Sequence, residues 1–208
     1  MNIVFMGTPD FAVPCLRALL EDGHRVSLVV TQADKPKGRG HRLTAPPVKE
    51  LALTSGIPVF QPATLKNGEA AERIAAARPE LIVVVAYGKI LPPAILSLPP
   101  EGCINVHGSL LPRYRGAAPI QWAVLNGETE TGVTTMRMDA GLDTGDMLLS
   151  SRLAIPPDMT AGELYDALAD EGAVLLSRTL REMEAGTLRA VPQPAEEATY
   201  APMLDRSL

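Results

Sequence analysis

The 208-residue sequence carries a formal net charge of −5, with 46% hydrophobic, 21% charged and only 4% aromatic residues. That size suits one sizeable α/β domain with little left for a second, and the balance is that of a globular protein. The acidic excess excludes a globally basic nucleic-acid binder, so a polyanion has to be met by a local patch, and the scarcity of aromatics excludes a module built on base stacking.

The chain opens with "MNIVFMG", which has no basic segment before its apolar run and is too short for an export signal. No window approaches the roughly 20 apolar residues of a membrane span. Cys15 and Cys103 stand far apart without a C-x-x-C spacing, and the three histidines His24, His41 and His107 share no metal-ligand pattern. A soluble, cytoplasmic, metal-free protein is expected, with both thiols reduced.

"NIVFMG" is a short apolar strand stopped by glycine, and "PDFAVPCLRALLEDG" follows with helical spacing. "HRVSLVVTQ" is a second strand, "PPVKELALTSG" a helix, "IPVFQP" a short strand bounded by prolines, and "EAAERIAAARP" an alanine-rich helix. "ELIVVVAYG" is a β-branched run of the kind buried on both faces, and "GCINVHGS" is another strand. Strands alternating with helices imply right-handed βαβ units and a largely parallel sheet. "TGVTTMRMD" and "DMLLSSRLAI" are strands too close together for a helical crossover, so they predict an antiparallel pair at one side of the sheet. A helix over 160–185 has the capping box Thr160-x-x-Glu163 and Gly186 as its stop. The Pro- and Glu-rich remainder has no sustained period. The expected division is a catalytic domain over 1–186 and a linker or tail over 187–208.

Two stretches carry candidate chemistry. In "CINVHGSLLPRYRG", Asn105 and His107 lie two apart on a strand and so share one face, while Ile104 and Val106 take the other. Polar neighbours on a covered sheet are expensive unless they lie at its carboxyl end, where open α/β sheets place ligands. A carboxamide beside an imidazole suits an oxyanion clamp at a carbonyl carbon, and the imidazole needs an anion to hold its tautomer or charge. "DAGLDTGDML" supplies Asp139, Asp143 and Asp146 on a Gly-rich loop, and spacing alone does not choose among them. Ser109 with His107 and an aspartate lacks the G-x-S-x-G elbow of a hydrolase, and Gly7 alone makes no phosphate turn.

The second stretch is "TQADKPKGRGHRL", which packs four Lys/Arg against one Asp between Asp34 and Arg42. A solvated charge run is the bland explanation. Its place after the second strand, however, puts it at the ligand end of the sheet, where a mobile cationic loop suits phosphates. Arg39 and Arg42 are the bidentate candidates there, and Lys35 and Lys37 the point charges.

These segments, with "VVAYGKILP", "SLLPRYRGAAPIQWAVLNGETETGVTTMRMDAGLDTGDML" and "TYAPML", resemble the formyltransferase domain of the methionyl-tRNA formyltransferase family. The resemblance covers essentially the whole chain in motif order. It implies a Rossmann-like, mostly parallel twisted sheet with helices on both faces and the antiparallel pair at one side. It implies transfer of a formyl group from 10-formyltetrahydrofolate to the amino group of methionine charged on initiator tRNA. By resemblance, Asn105, His107 and Asp143 are the catalytic trio. Folate contacts fall on Tyr87, Gly88, Ile90, Leu91, Ser109, Leu110, Leu111, Pro112, Asp139, Gly141 and Leu142. Contacts to the tRNA acceptor end fall on Lys35, Lys37, Arg39 and Arg42. A monomer is expected, and the family pattern continues into a C-terminal OB-like domain. The alternatives are a small-amine formyltransferase, a formyltetrahydrofolate hydrolase sharing the same core, and a catalytically silent folate- or nucleotide-binding module.

Overall fold

In the computed structural model, residues 1–37 and 42–205 are described. They divide into two compact units, Met1–Ile104 and Asn105–Leu208. The first unit runs β1 (Asn2–Gly7), α1 (Val13–Glu21), β2 (Arg25–Val30), β3 (Lys35–Lys37), β4 (Arg42–Thr44), α2 (Pro47–Thr54) and β5 (Val59–Phe60). It continues with α3 (Glu69–Ala76), β6 (Leu81–Val85) and α4 (Pro93–Leu96), and β7 (Cys103–His107) spans the division. The second unit adds α5 (Pro119–Leu125), β8 (Glu130–Arg137), β9 (Met147–Ala154) and α6 (Ala161–Glu184).

Seven strands form one sheet in the order β5-β2-β1-β6-β7-β8-β9. β1 pairs in parallel with β2 and β6, and β2 with β5. The run "LIVVV" of β6 is buried at every position, as a strand covered on both faces requires. β8 and β9 pair antiparallel at the edge, as their short separation in sequence predicts. The fold expected from the alternation of strands and helices is therefore present: a mostly parallel sheet with an antiparallel pair at one side.

Helix α6 starts where its sequence signature puts it. The Thr160 side chain accepts from the Glu163 amide, Glu163 reaches back to the Thr160 amide, and Gly186 follows the helix at φ 70°. One side of the helix is buried, from Leu164 and Leu168 to Leu176 and Leu180. Within it Thr179 shares a hydrogen bond of 2.8 Å with Thr135 of β8, so a buried pair of hydroxyls is satisfied.

Two segments differ from their sequence expectation. The basic loop is partly a two-stranded ribbon, β3 with β4, pairing Lys35 with Thr44 and Lys37 with Arg42. Its proline and like charges hide the pairing, because neither strand shows apolar alternation. The described residues 187–205 form no regular strand, yet backbone bonds tie them to the rest of their unit. Val191 and Met147 exchange N–H···O bonds of 2.8 and 2.9 Å. The Arg115 amide donates to Thr199 O at 2.8 Å, and the Ala201 amide to Arg115 O at 2.7 Å. The Trp122 indole N–H donates to Pro202 O at 2.8 Å. Such bonds use groups every residue carries, so composition gives no sign of them.

Candidate active site

Strand β7 places Ile104 and Val106 in hydrocarbon, nearly fully buried, while Asn105 is half-buried. Among the described residues the Asn105 carboxamide makes no hydrogen bond to the protein, which leaves its donors available. His107 is 6% exposed. Its Nε2 lies 2.9 Å from the carbonyl oxygen of Tyr114. A carbonyl only accepts, so Nε2 carries the hydrogen and Nδ1 is the nitrogen left for other work. Nδ1 stands 3.8 Å from Asp143 Oδ2. That is within ion-pair reach and too long for a hydrogen bond, a separation common where a site tightens only around its ligand.

The orientation of His107 thus comes from a carbonyl rather than from Asp143, and the loop that carries that carbonyl is heavily pinned. Tyr114 sits at φ 59°, a left-handed conformation that costs a non-glycine residue energy. Its hydroxyl donates to Glu128 Oε1 at 2.5 Å and accepts from the Asn126 amide at 3.0 Å. Its backbone N–H donates to Thr199 Oγ1 at 2.8 Å. The fully buried Ser109 hydroxyl donates to Arg113 O at 2.7 Å, and Thr134 of β8 donates to Ser109 O at 2.7 Å while accepting from the Leu111 amide at 3.2 Å. Ser109 is spent on shaping this turn, which removes the geometry a serine nucleophile needs.

The three aspartates that spacing left open differ in what they contact. Asp139 Oδ1 accepts from the Gly141 amide at 3.0 Å and the Thr144 hydroxyl at 2.7 Å, so it closes its own turn. The carboxylate that faces His107 belongs to Asp143, whose Oδ2 also accepts the Gly116 N–H at 2.8 Å. Asp143 is held at φ 53°. Asp tolerates that region better than most residues, and backbone strain of this kind collects at functional sites. Of the two arginines in "CINVHGSLLPRYRG", Arg113 pairs with Glu128, while Arg115 is 6% exposed and directs its guanidinium at Gln193. Neither is a free cation. Sequence reasoning missed Tyr114, Thr134 and Gln193; Tyr114 and Thr134 lay inside quoted stretches but gave no sign of their contacts, and Tyr114 contributes a backbone atom.

The other predicted contact residues divide by unit. In the first, the Tyr87 carbonyl accepts from Gln32 Nε2 at 2.8 Å and Thr8 Oγ1 at 3.2 Å, and Leu91 is buried while Ile90 is 82% exposed. Burial pushes the Tyr87 phenol up to about 12. Gly88 has φ 81°, and a Cβ there would lie 2.4 Å from Gln32 Nε2. Lys35 is exposed, Lys37 and Arg42 lie in the paired strands, and Arg39 falls outside the described residues. In the second unit, Leu111 and Pro112 are buried, Leu110 is half-buried, and Asp139, Gly141 and Leu142 are exposed. A cleft of about 540 Å³ in the first unit, at the opposite ends of its strands and lined by Asn2, Arg25, Arg73, Arg78 and Glu80 among others, contains none of these residues.

A buried imidazole, an unengaged carboxamide and a carboxylate behind the ring are groups that acyl transfer can use, and comparison with known proteins supplies the family. Residues 1–180 match the formyl transferase family model. The chain belongs to that family. It is 58% identical over 208 residues to the methionyl-tRNA formyltransferase of Acetivibrio thermocellus, covering all of this chain and 67% of that protein. It is 58% identical over 204 residues to that of Desulforamulus reducens, covering 98% and 64%. The chain therefore spans about two thirds of the length of such relatives. Among solved structures, glycinamide ribonucleotide transformylase 1 from Symbiobacterium toebii aligns with TM-score 0.75 at 19% identity, covering 91% of this chain and 93% of that one. An N-formyltransferase from Helicobacter canadensis, solved with folinic acid and dTDP-3-aminofucose, aligns with TM-score 0.73 at 21% identity, covering 96% and 70%. At that distance these structures establish the formyltransferase fold and not an acceptor.

Proposed function

We propose that this formyl transferase moves the formyl group of 10-formyltetrahydrofolate onto the amino group of methionine charged on initiator tRNA. The acceptor follows the relatives at 53–58% identity, which are named methionyl-tRNA formyltransferases. The single structural observation that supports the chemistry is the carboxylate–imidazole pair of Asp143 and His107 beside the unengaged carboxamide of Asn105.

In the proposed reaction the amine nitrogen attacks the formyl carbon, and negative charge grows on the formyl oxygen. The Asn105 amide donates to that oxygen. With Nε2–H occupied by the Tyr114 carbonyl, the hydrogen His107 offers comes from Nδ1, so the working form is the imidazolium, with Asp143 placed to stabilise its charge. Collapse of the tetrahedral intermediate breaks the bond from the formyl carbon to folate N10. The proton lost by the amine is relayed through Asp143 to that nitrogen, so the products are the formylated aminoacyl-tRNA and tetrahydrofolate.

The folate contacts we assign to the second unit are Ser109 to Pro112 and the backbone around Asp139, Gly141 and Leu142. In the first unit they are the backbone around Tyr87, Gly88, Ile90 and Leu91. Lys35, Lys37, Arg39 and Arg42 of the basic segment are assigned to phosphates of the acceptor end, and 187–208 to the connection toward an OB-like domain, both on the family resemblance. An acceptor assay tests the reading: with 10-formyltetrahydrofolate as donor, methionyl-tRNA is formylated, whereas free methionine, small amines and water are poor acceptors. Faster transfer to a small amine or to water than to methionyl-tRNA would assign the chain to the alternative chemistry.

A further inference from the structure

We propose that Gln193 is a positioning residue for the formyl-transfer reaction, holding the backbone of the Asp143 loop through a clamp anchored on Arg115. This rests on the assignment of Asp143 to the reaction. Gln193 lies 50 residues from Asp143, outside any helix or strand, and it uses its whole hydrogen-bonding capacity. Oε1 accepts from Arg115 Nε at 2.9 Å and Nη2 at 2.8 Å. Nε2 donates to Asp143 O at 2.8 Å and to Gly145 O at 2.7 Å.

The amide has only one workable orientation. A guanidinium can only donate and peptide carbonyls can only accept, so the oxygen must face Arg115 and the nitrogen must face the loop. Arg115 is 6% exposed and its bonds to Gln193 are charge-assisted, so the anchor is both buried and stiff. The far side of the loop has no slack either. A Cβ on Gly145 would sit 1.9 Å from Arg137 O, so the chain passes as close to β8 as glycine permits. Gln193 therefore fixes the backbone on both sides of Thr144, while the Gly116 N–H fixes the Asp143 carboxylate. Together they hold Asp143 in its left-handed conformation opposite His107 Nδ1.

Two near-isosteric substitutions separate this role from simple packing. Gln193→Glu keeps the acceptor for Arg115 but turns a carboxylate oxygen toward two carbonyls, and Gln193→Met keeps length without any donor. Formyl transfer to methionyl-tRNA is measured for the 208-residue chain, per folate-binding site, in wild type, both variants, Asp143→Asn, and Asp143→Asn combined with each variant. In the Asp143 background each substitution is expected to lower kcat about tenfold with KM for the folate within about twofold. In the Asp143→Asn background the same substitutions should change the residual rate little, because the group they position is gone. Wild-type kcat in both variants alongside an impaired Asp143→Asn would overturn the proposal and leave the site intact. An equal fractional loss in both backgrounds would overturn it as well, since that is the mark of a structural role. Undiminished turnover by Asp143→Asn would remove the site assignment itself.

Discussion

A buried imidazole with one nitrogen on a peptide carbonyl has a single nitrogen left for chemistry, and here that nitrogen is Nδ1, 3.8 Å from a carboxylate. In the proposed reaction this division of labour is cleaner than one in which the acid orients the ring, because Tyr114 O sets the geometry and Asp143 is left to stabilise charge and relay the proton. The same burial that protects this arrangement silences its neighbours. Cys103 begins the strand that carries Asn105 and His107, and burial pushes its thiol, like that of Cys15, up to about 12. Only a vanishing fraction of thiolate exists at about pH 8, so neither cysteine should react with a thiol reagent in the native protein, and both should react after denaturation. Rapid labelling of Cys103 before unfolding would show that strand β7 opens. The residues Asn105, His107 and the set of three aspartates were legible in sequence because polar side chains at a strand end carry a signal. Tyr114 O and Gln193 were not, since one acts through its backbone and the other lies in a stretch without periodicity.

Among the elements, the strands were readable because β-branched runs such as "LIVVV" have few alternatives, and α6 because its capping box and terminal glycine mark both ends. The β3–β4 ribbon was not, and its anchoring explains how a like-charged segment pairs at all. At its base Lys49 donates to both Asp34 oxygens at 2.8 Å and to Gln61 Oε1 at 2.9 Å, and Gln61 Nε2 donates to Asp34 Oδ1 and to Gln32 O at 2.8 Å. The hydrogen bond from Gln61, followed by the Lys49 ammonium, holds the Asp34 carboxyl below its ordinary value. A depressed folded-state pKa means that the contribution to stability is present above the unfolded value and is lost as pH falls through the folded one. The stability difference between wild type and Asp34→Asn should therefore be full at about pH 6 and shrink steadily below about pH 4, read from melting temperatures across the acid range. A difference that stays constant down to about pH 2 would mean that Asp34 is not ionised in this network.

At the level of the whole molecule, the proposed action on tRNA requires a chain of net charge −5 to meet phosphates through a local cationic surface. Its affinity for methionyl-tRNA should consequently fall steeply between about 50 and about 200 mM salt. Replacing Lys35 and Arg39 by alanine should flatten that dependence by about one to two phosphate contacts while folate affinity stays unchanged. An interaction indifferent to salt would remove the ribbon from the tRNA interface. The parallel sheet, its antiparallel edge and the formyl transferase family were all within reach of the sequence, because they rest on strand periodicity and contiguous motifs. The ties that 187–205 makes within its own unit were beyond it, because they consist of backbone bonds between residues far apart in the chain.

The most direct measurement is single-turnover formyl transfer from 10-formyltetrahydrofolate to methionyl-tRNA by Asn105→Ala and His107→Ala, with folate binding verified for each. If the carboxamide and the imidazole hold the developing oxyanion, each variant binds folate normally and transfers about 100-fold more slowly. Transfer at the wild-type rate by both would contradict that assignment.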